Sequence, residues 1–183
     1  GKYPLPKEAI KCIESWRKYC PDYEIICWNE EKFEVNSNNY TREAYQSKKW
    51  AFVTDYVRLY ALYSEGGIYL DTDVEIKKNL DPFLMHKAFT GCENERYCVT
   101  GLMGAEVNHS WIKLLLDDYT NRYFINKDGS FDSTTNTSRI TELTKLNFGW
   151  NDGKIISRLP EGVSIYPHEY FCAKDWRSGN IKV

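Results

Sequence analysis

The chain has 183 residues, of which 42% are hydrophobic and 27% are charged, and its formal net charge is −2 at pH 7. This composition excludes a disordered chain, and the near-neutral charge gives no electrostatic argument for binding nucleic acid. No apolar run reaches membrane-spanning length, and the length suits one domain with a substantial core.

The first part of the chain predicts a helix, a strand, a loop and a second helix. Apolar residues recur with helical spacing over residues 4–20, and residues 23–28 read as a buried strand. The polar run 29–39 is predicted to be a loop. A helix over 42–48 would then be capped by Thr41.

Residues 51–64 predict an apolar helix that carries two charged side chains on one side. Asp55 and Arg58 stand three residues apart, so they share a helical face. Gly66 and Gly67 follow where a helix would end in a left-handed cap. The charged pair is either a structural ion pair or part of a polar pocket, and the spacing alone leaves both readings open.

Two carboxylates follow the next predicted strand. Residues 68–70 form a short apolar run, Asp71 and Asp73 come directly after it, and residues 74–76 resume an alternating pattern. Carboxylates at the end of a strand can converge on one cation. Hard divalent ions such as Mg²⁺ and Mn²⁺ prefer such oxygen ligands.

The rest of the chain continues to alternate strands and helices. Asn108 is predicted to cap a helix, and the polar segment 126–137 is predicted to be a mobile loop. The remaining predicted elements are strands at 87–92 and 97–104, helices at 112–123 and 139–146, and strands at 154–157 and 163–166. This order predicts an α/β layered domain with a mixed or mostly parallel sheet.

The central motif resembles that of a known enzyme family. It reads A-x-x-x-D-x-x-R-x-x-x-L-x-x-x-G-G-x-Y-x-D-x-D and runs from Ala51 to Asp73. It is similar to the signature of D-x-D glycosyltransferases of the family 32 type, which include bacterial capsular and lipopolysaccharide sugar transferases and yeast-type mannosyltransferases. It is also similar to the catalytic core of the clostridial glucosylating toxins.

The resemblance implies a fold and an activity. The fold would be GT-A-like, a Rossmann-like mixed sheet flanked by helices, with residues 1–183 forming a single catalytic domain. The enzyme would move a hexose from a UDP-hexose or GDP-mannose to a glycan or lipid-linked acceptor, with retention of configuration. It would need Mn²⁺ or Mg²⁺, bind no nucleic acid and work in the cytoplasm, at the inner face of a bacterial membrane.

The resemblance also implies roles for individual residues. Asp73 would bind the metal directly, and Asp71 would contact the metal or its water, the ribose or the sugar. Asp55, Arg58 and Asp71 would be the catalytic residues, with Asp55 and Arg58 bonding the hydroxyls of the donor sugar. Two further residues match donor-contacting positions of the family, although simple packing would explain them too: Thr54 and Tyr69.

Two family segments do not occur in this sequence. Relatives usually begin with a strand of the type I-P-K-I-I-H-x-x-W and end with a His-His and Ser-Trp segment. These segments flank the base and the diphosphate. We therefore expect the chain as given to bind nucleotide sugar about a hundredfold more weakly than a version extended at both ends, because charge-assisted contacts would be lost.

Two other functions fit part of the motif. Residues 70–74 read L-D-T-D-V, which matches the first motif of haloacid dehalogenase-type phosphatases, with Asp71 as nucleophile and Asp73 as acid/base. Against this reading, a long helix precedes the motif and no second metal motif follows. The other alternative is a non-catalytic remnant that binds sugar or nucleotide.

Six cysteines are present, and none lies in a C-x-x-C pair or in a Cys/His cluster with zinc spacing. The even number would permit disulfides, but a chain of this size does not depend on them. We therefore expect reduced and mostly buried thiols.

Overall fold

The computed structural model describes residues 4–174 and Gly179, with only the backbone at Val99 and Thr100. In this part of the chain the α-helices are α1 (Lys7–Tyr19), α2 (Asn39–Gln46), α3 (Trp50–Glu65), α4 (Ser110–Asp117), α5 (Asn136–Phe148) and α6 (His168–Phe171). The strands are β1 (Gly67–Leu70), β2 (Ala88–Asn94), β3 (Tyr97–Ala105), β4 (Ser157–Arg158) and β5 (Val163–Tyr166).

The strands form one sheet in the order β1-β3-β2-β5-β4. The pair β2–β5 is parallel and the other neighbouring pairs are antiparallel. The expected mixed sheet flanked by helices is therefore confirmed, whereas a mostly parallel sheet is wrong for the described residues.

Both faces of the sheet are covered, and the alternation of side chains along β2 and β3 shows how. Ala88 and Met103 belong to a large core with α2, α3, α4 and α5. Phe89 and Leu102 point to the opposite face and pack with Cys12 and other residues of α1. Two layers of helices therefore hold the sheet, and β1 lies at its edge.

The predicted strand over residues 23–28 is wrong. The segment belongs to no strand of the sheet, and Ile25 and Ile26 are exposed. The alternating residues 74–76 likewise form no strand in the structure. Apolar alternation predicts an extended backbone, but a strand also needs a neighbour, and the pattern cannot supply one.

Several element ends differ from their predictions. Asn38, not Thr41, caps α2 by accepting from Tyr40 N and Thr41 N. His109, not Asn108, caps α4, which ends at Asp117. Helix α5 begins three residues before its predicted start, at the end of the predicted loop. The predicted strand over 154–157 reduces to β4. Local capping residues compete closely here, so the ends of elements were less predictable than their existence.

The turn from α3 into β1 depends on glycine. Gly66 has φ 68° and ψ −160°, and Gly67 has φ 92°. Gly66 is therefore not in the left-handed helical conformation of the predicted cap, although its φ is positive. A Cβ atom at Gly66 would also lie 2.9 Å from Val107 N, so no larger residue fits this turn.

All six cysteines are free, and four of them are buried, as expected. None of the helices in the described part of the chain combines the length and the hydrophobicity that a bilayer span requires.

Candidate functional site

A cavity of about 750 Å³ lies beside β1. Its walls come from α1, the segment 23–28, α3, β1 and the turn that contains Asp71 and Asp73. The residues that the sequence predicted for the site all line it: Thr54, Asp55, Arg58, Tyr69, Asp71 and Asp73.

Arg58 is the centre of the site and is only 5% exposed. Its Nη2 lies 3.3 Å from Asp55 Oδ1 and 3.1 Å from Asp71 Oδ1, and its Nη1 donates to Asp71 Oδ2 over 3.3 Å. The guanidinium also stacks over the ring of Tyr69, with 4.8 Å to the ring centre. Burial opposes the charged form of Arg58, but the nearby Tyr69, Asp71 and Asp55 hold its pKa above the ordinary value.

Asp71 is fixed by this arrangement. Besides the two contacts from Arg58, its Oδ1 accepts from Tyr69 Oη over 2.6 Å. Burial, followed by the charge of Asp71, raises the pKa of Tyr69, so this phenol stays a donor. A carboxylate can accept about four hydrogen bonds, so Asp71 keeps capacity for a ligand in the cavity.

The segment after β1 turns sharply at the two carboxylates. Asp71 N donates to Gly101 O over 2.8 Å, and Val74 N donates back to Asp71 O over 3.0 Å. Asp73 is exposed, and it makes no ion pair within the described part of the chain. The structure thus places both carboxylates at the end of β1, on one cavity.

Helix α1 holds the far side of this turn. Trp16 Nε1 donates to Val74 O over 2.7 Å, and Ser15 Oγ accepts from Ile76 N over 2.9 Å. Ser15 in turn donates to Cys12 O. Both bonds span about 60 residues of sequence, so they tie the turn to a distant helix.

We expect Ser15→Ala to lower the free energy of unfolding by about 1–3 kcal/mol, because the buried N–H of Ile76 would lose its partner. The matched control is Ser64→Ala, since Ser64 is exposed and its hydroxyl donates to Tyr60 O and Ala61 O of its own helix. Urea unfolding of both variants measures the difference. Equal effects of the two variants would contradict the role of Ser15.

Asp55 lies deeper than Asp71 and Asp73, with 14% of its side chain exposed against 32% for Asp71. Burial raises its pKa from 3.8 to about 6, because the nearby Arg58 compensates only part of the lost hydration and Asp71 adds repulsion. Its Oδ1 accepts a second contact, from Asn136 Nδ2 at 2.5 Å.

This raised pKa predicts a pH dependence of stability. Between about pH 4 and 6 the folded protein keeps the Asp55 proton that the unfolded chain releases, so the contribution of Asp55 to stability falls as pH rises through this window. We expect urea unfolding to show this slope in the wild type and a smaller one in Asp55→Asn. Identical slopes would show that Asp55 titrates normally.

Three residues of the site escaped prediction from the sequence: Ser15, Trp16 and Asn136. The first two read as ordinary residues of a helix, and Asn136 fell in the predicted loop. A Thr135–Ser138 capping pattern marks the start of α5, and the Thr135 hydroxyl does accept from Ser138 N. No local signal connects Asn136 to Asp55, 81 residues away.

Sequence comparisons point in one direction. Residues 6–90 match the family described as glycosyltransferase sugar-binding region containing DXD motif. Inositol phosphoceramide mannosyltransferase 3 of Schizosaccharomyces pombe is 29% identical over 112 residues, which cover 59% of this chain and 32% of the relative. Inositol phosphoceramide mannosyltransferase 1 of the same yeast is 30% identical over 96 residues, 46% of this chain and 29% of the relative. The chain thus spans about a third of these relatives.

A solved structure agrees on the fold. PaToxG Glycosyltransferase superposes with a TM-score of 0.57 at 15% identity, over 80% of this chain and 65% of that chain. This similarity supports the GT-A-like architecture expected from the sequence.

Proposed function

We propose that this chain, whose residues 6–90 match the family described as glycosyltransferase sugar-binding region containing DXD motif, transfers a hexose from a nucleoside-diphosphate sugar to a glycan or lipid-linked acceptor. The family favours this activity over the phosphatase suggested by the L-D-T-D-V sequence. We also propose that the chain forms one catalytic domain and that transfer retains the anomeric configuration.

One observation carries the proposal: Arg58 joins Asp55 and Asp71 inside the cavity that Asp73 also lines. Carboxylate oxygens and a guanidinium offer acceptors and donors to the hydroxyls of a sugar. Each of these side chains is held in place by its contacts with another one. Polar groups that are fixed in this way stabilise a developing charge without reorganisation. The same contacts would serve a purely structural ion pair, but that reading gives no reason for the cavity.

Asp71 and Asp73 fit a divalent cation of the Mg²⁺ or Mn²⁺ type. Among the described residues, no three or more acidic, His or Cys side chains are arranged so that they alone could hold a metal ion. Two carboxylates suit an ion that is completed by waters and the phosphates of its substrate. Asp73 would be the direct ligand. Asp71 would contact the ion or its water through the accepting capacity that its own hydrogen bonds leave unused. When bound, such an ion neutralises charge on the leaving diphosphate.

The donor side of the cavity is assigned to Asp55 and Arg58, with Thr54 and Tyr69 beside them. The two yeast relatives are named mannosyltransferases, so we place GDP-mannose first among the candidate donors and UDP-hexoses second. A lipid-linked acceptor would bring the enzyme to a membrane surface, which we propose to be the cytoplasmic face in a bacterium.

A donor panel tests the proposal. The purified protein is incubated with Mn²⁺ and GDP-mannose, UDP-glucose or UDP-galactose, and release of nucleoside diphosphate is measured with and without added glycans. We expect turnover of one donor, abolished in Asp71→Asn. A phosphomonoester substrate is included in parallel.

Each outcome selects one function. Release of inorganic phosphate from the phosphomonoester alone would establish a phosphatase. Binding of a nucleotide sugar without turnover, with or without acceptor, would identify a non-catalytic remnant. Either result would overturn the proposed transferase.

A further inference from the structure

We infer that Asn136 is a positioning residue for Asp55: its side-chain amide holds the Asp55 carboxylate in the orientation that receives the donor sugar. The inference rests on the proposed function, since it assigns the sugar to Asp55. It adds a residue from α5 to a site that is otherwise built by α1, α3, β1 and the turn after β1.

The contact is close and specific. Asn136 Nδ2 lies 2.5 Å from Asp55 Oδ1, and Arg58 Nη2 lies 3.3 Å from the same oxygen. Neither of these contacts uses Oδ2, and Asp55 lines the cavity. The two donors hold Oδ1 in place, and the carboxylate presents Oδ2, which takes part in neither contact, to the sugar.

Asn136 is itself held in place. It is the first residue of α5, whose N-cap is Thr135, and α5 packs against β3 through the bond from Cys98 N to Thr141 Oγ1. A partly buried ion-pair cluster lies on both sides of Asn136 in sequence. Arg139 contacts Asp118, which also contacts Arg122, and Arg122 Nε donates to Asp132. Ion pairs formed by residues before and after Asn136 in the sequence therefore connect the start of α5 to the end of α4.

The amide suits this position because it donates without adding charge. Asp55, Arg58 and Asp71 already place two negative charges against one positive charge. A carboxylate at position 136 would repel Asp55, and an ammonium would compete with Arg58 for it. Asparagine gives Asp55 a hydrogen bond and leaves the charge of the site unchanged.

Removal of the Asn136 amide should weaken only the binding of the sugar part of the donor. Asp55 is assigned to the sugar and not to the nucleotide, so Asn136→Ala should weaken binding of the nucleotide sugar and spare binding of the nucleoside diphosphate. We expect the affinity for the nucleotide sugar to fall about tenfold or more, as for the loss of a hydrogen bond to a charged group. The isosteric Asn136→Asp should show a larger loss.

Calorimetry with Mn²⁺ compares the donor that the panel identifies with its nucleoside diphosphate. Asn147→Ala is the control, because Asn147 is an exposed asparagine of the same helix whose amide donates to Leu143 O. Thermal melting shows whether each variant is folded. Asn136→Asp keeps the test open if Asn136→Ala does not fold.

The results separate the inference from the proposed function. Selective loss of nucleotide-sugar affinity in Asn136→Ala or Asn136→Asp, with Asn147→Ala unchanged, supports the inference. An equal loss for sugar and diphosphate, or no loss, overturns it and leaves the transferase assignment standing if the wild type turns over its donor. A wild type that binds no nucleotide sugar overturns both.

Discussion

Arg58→Lys is expected to lower turnover by about a hundredfold or more, because lysine cannot replace the planar fork of arginine. Arg58 reaches Asp55 and both oxygens of Asp71 at once and stacks on Tyr69. An ammonium on a flexible stem can satisfy one of these carboxylates at a time. The other would then rotate out of the geometry that we propose receives the sugar.

Two substitutions of Arg58 separate the effect of its positive charge from the effect of its planar shape. Lysine keeps the positive charge that Asp55 and Asp71 need, so the variant should remain folded. Arg58→Met removes that charge and leaves two partly buried carboxylates uncompensated, which should cost about 3–5 kcal/mol of stability. A folded but inactive lysine variant beside an unstable methionine variant is the expected pair.

Steady-state kinetics with the identified donor and urea unfolding measure the two effects. Arg17→Lys is the control, since Arg17 lies on the exposed face of α1 and should leave both quantities unchanged. Turnover near the wild-type level in Arg58→Lys would mean that Arg58 serves the fold alone.

The grouping of the candidate site residues could be predicted from the sequence because most of them lie close together along the chain. Helical spacing places Asp55 and Arg58 on one side of α3, and the glycine turn returns β1 alongside that helix. Asp71 therefore comes within 3.1 Å of Arg58, only 13 residues later. Local geometry fixes most of this arrangement.

What could not be predicted depends on distant parts of the chain. The run 23–28 has the composition of a strand, yet whether a strand forms depends on a neighbour that local sequence does not show. Asn136 reaches Asp55 over 81 residues, and Ser15 reaches Ile76 over 61. Such contacts follow from how helices pack on the sheet, which periodicity does not encode.

Asp73→Asn is expected to abolish metal-dependent turnover, with a loss of at least about a hundredfold, because the carboxylate that we propose as the direct ligand of the cation would lose its charge. Asp71 alone would bind the ion more weakly. Three donor contacts from Arg58 and Tyr69 already hold its oxygens, whereas Asp73 is exposed and makes no ion pair in the described part of the chain.

Removing the metal should reproduce the variant. Treatment with EDTA should stop turnover by the wild type, and added Mn²⁺ should restore it, while Asp73→Asn should stay inactive at any Mn²⁺ concentration used. Glu75→Gln is the matched control, since it removes an exposed carboxylate two residues further on, which pairs with Lys11 and Lys77. Full recovery of turnover by Asp73→Asn in excess Mn²⁺ would indicate that Asp71, and not Asp73, is the direct ligand. Turnover that EDTA leaves intact would mean that Arg58 and its neighbours act on the diphosphate without a cation.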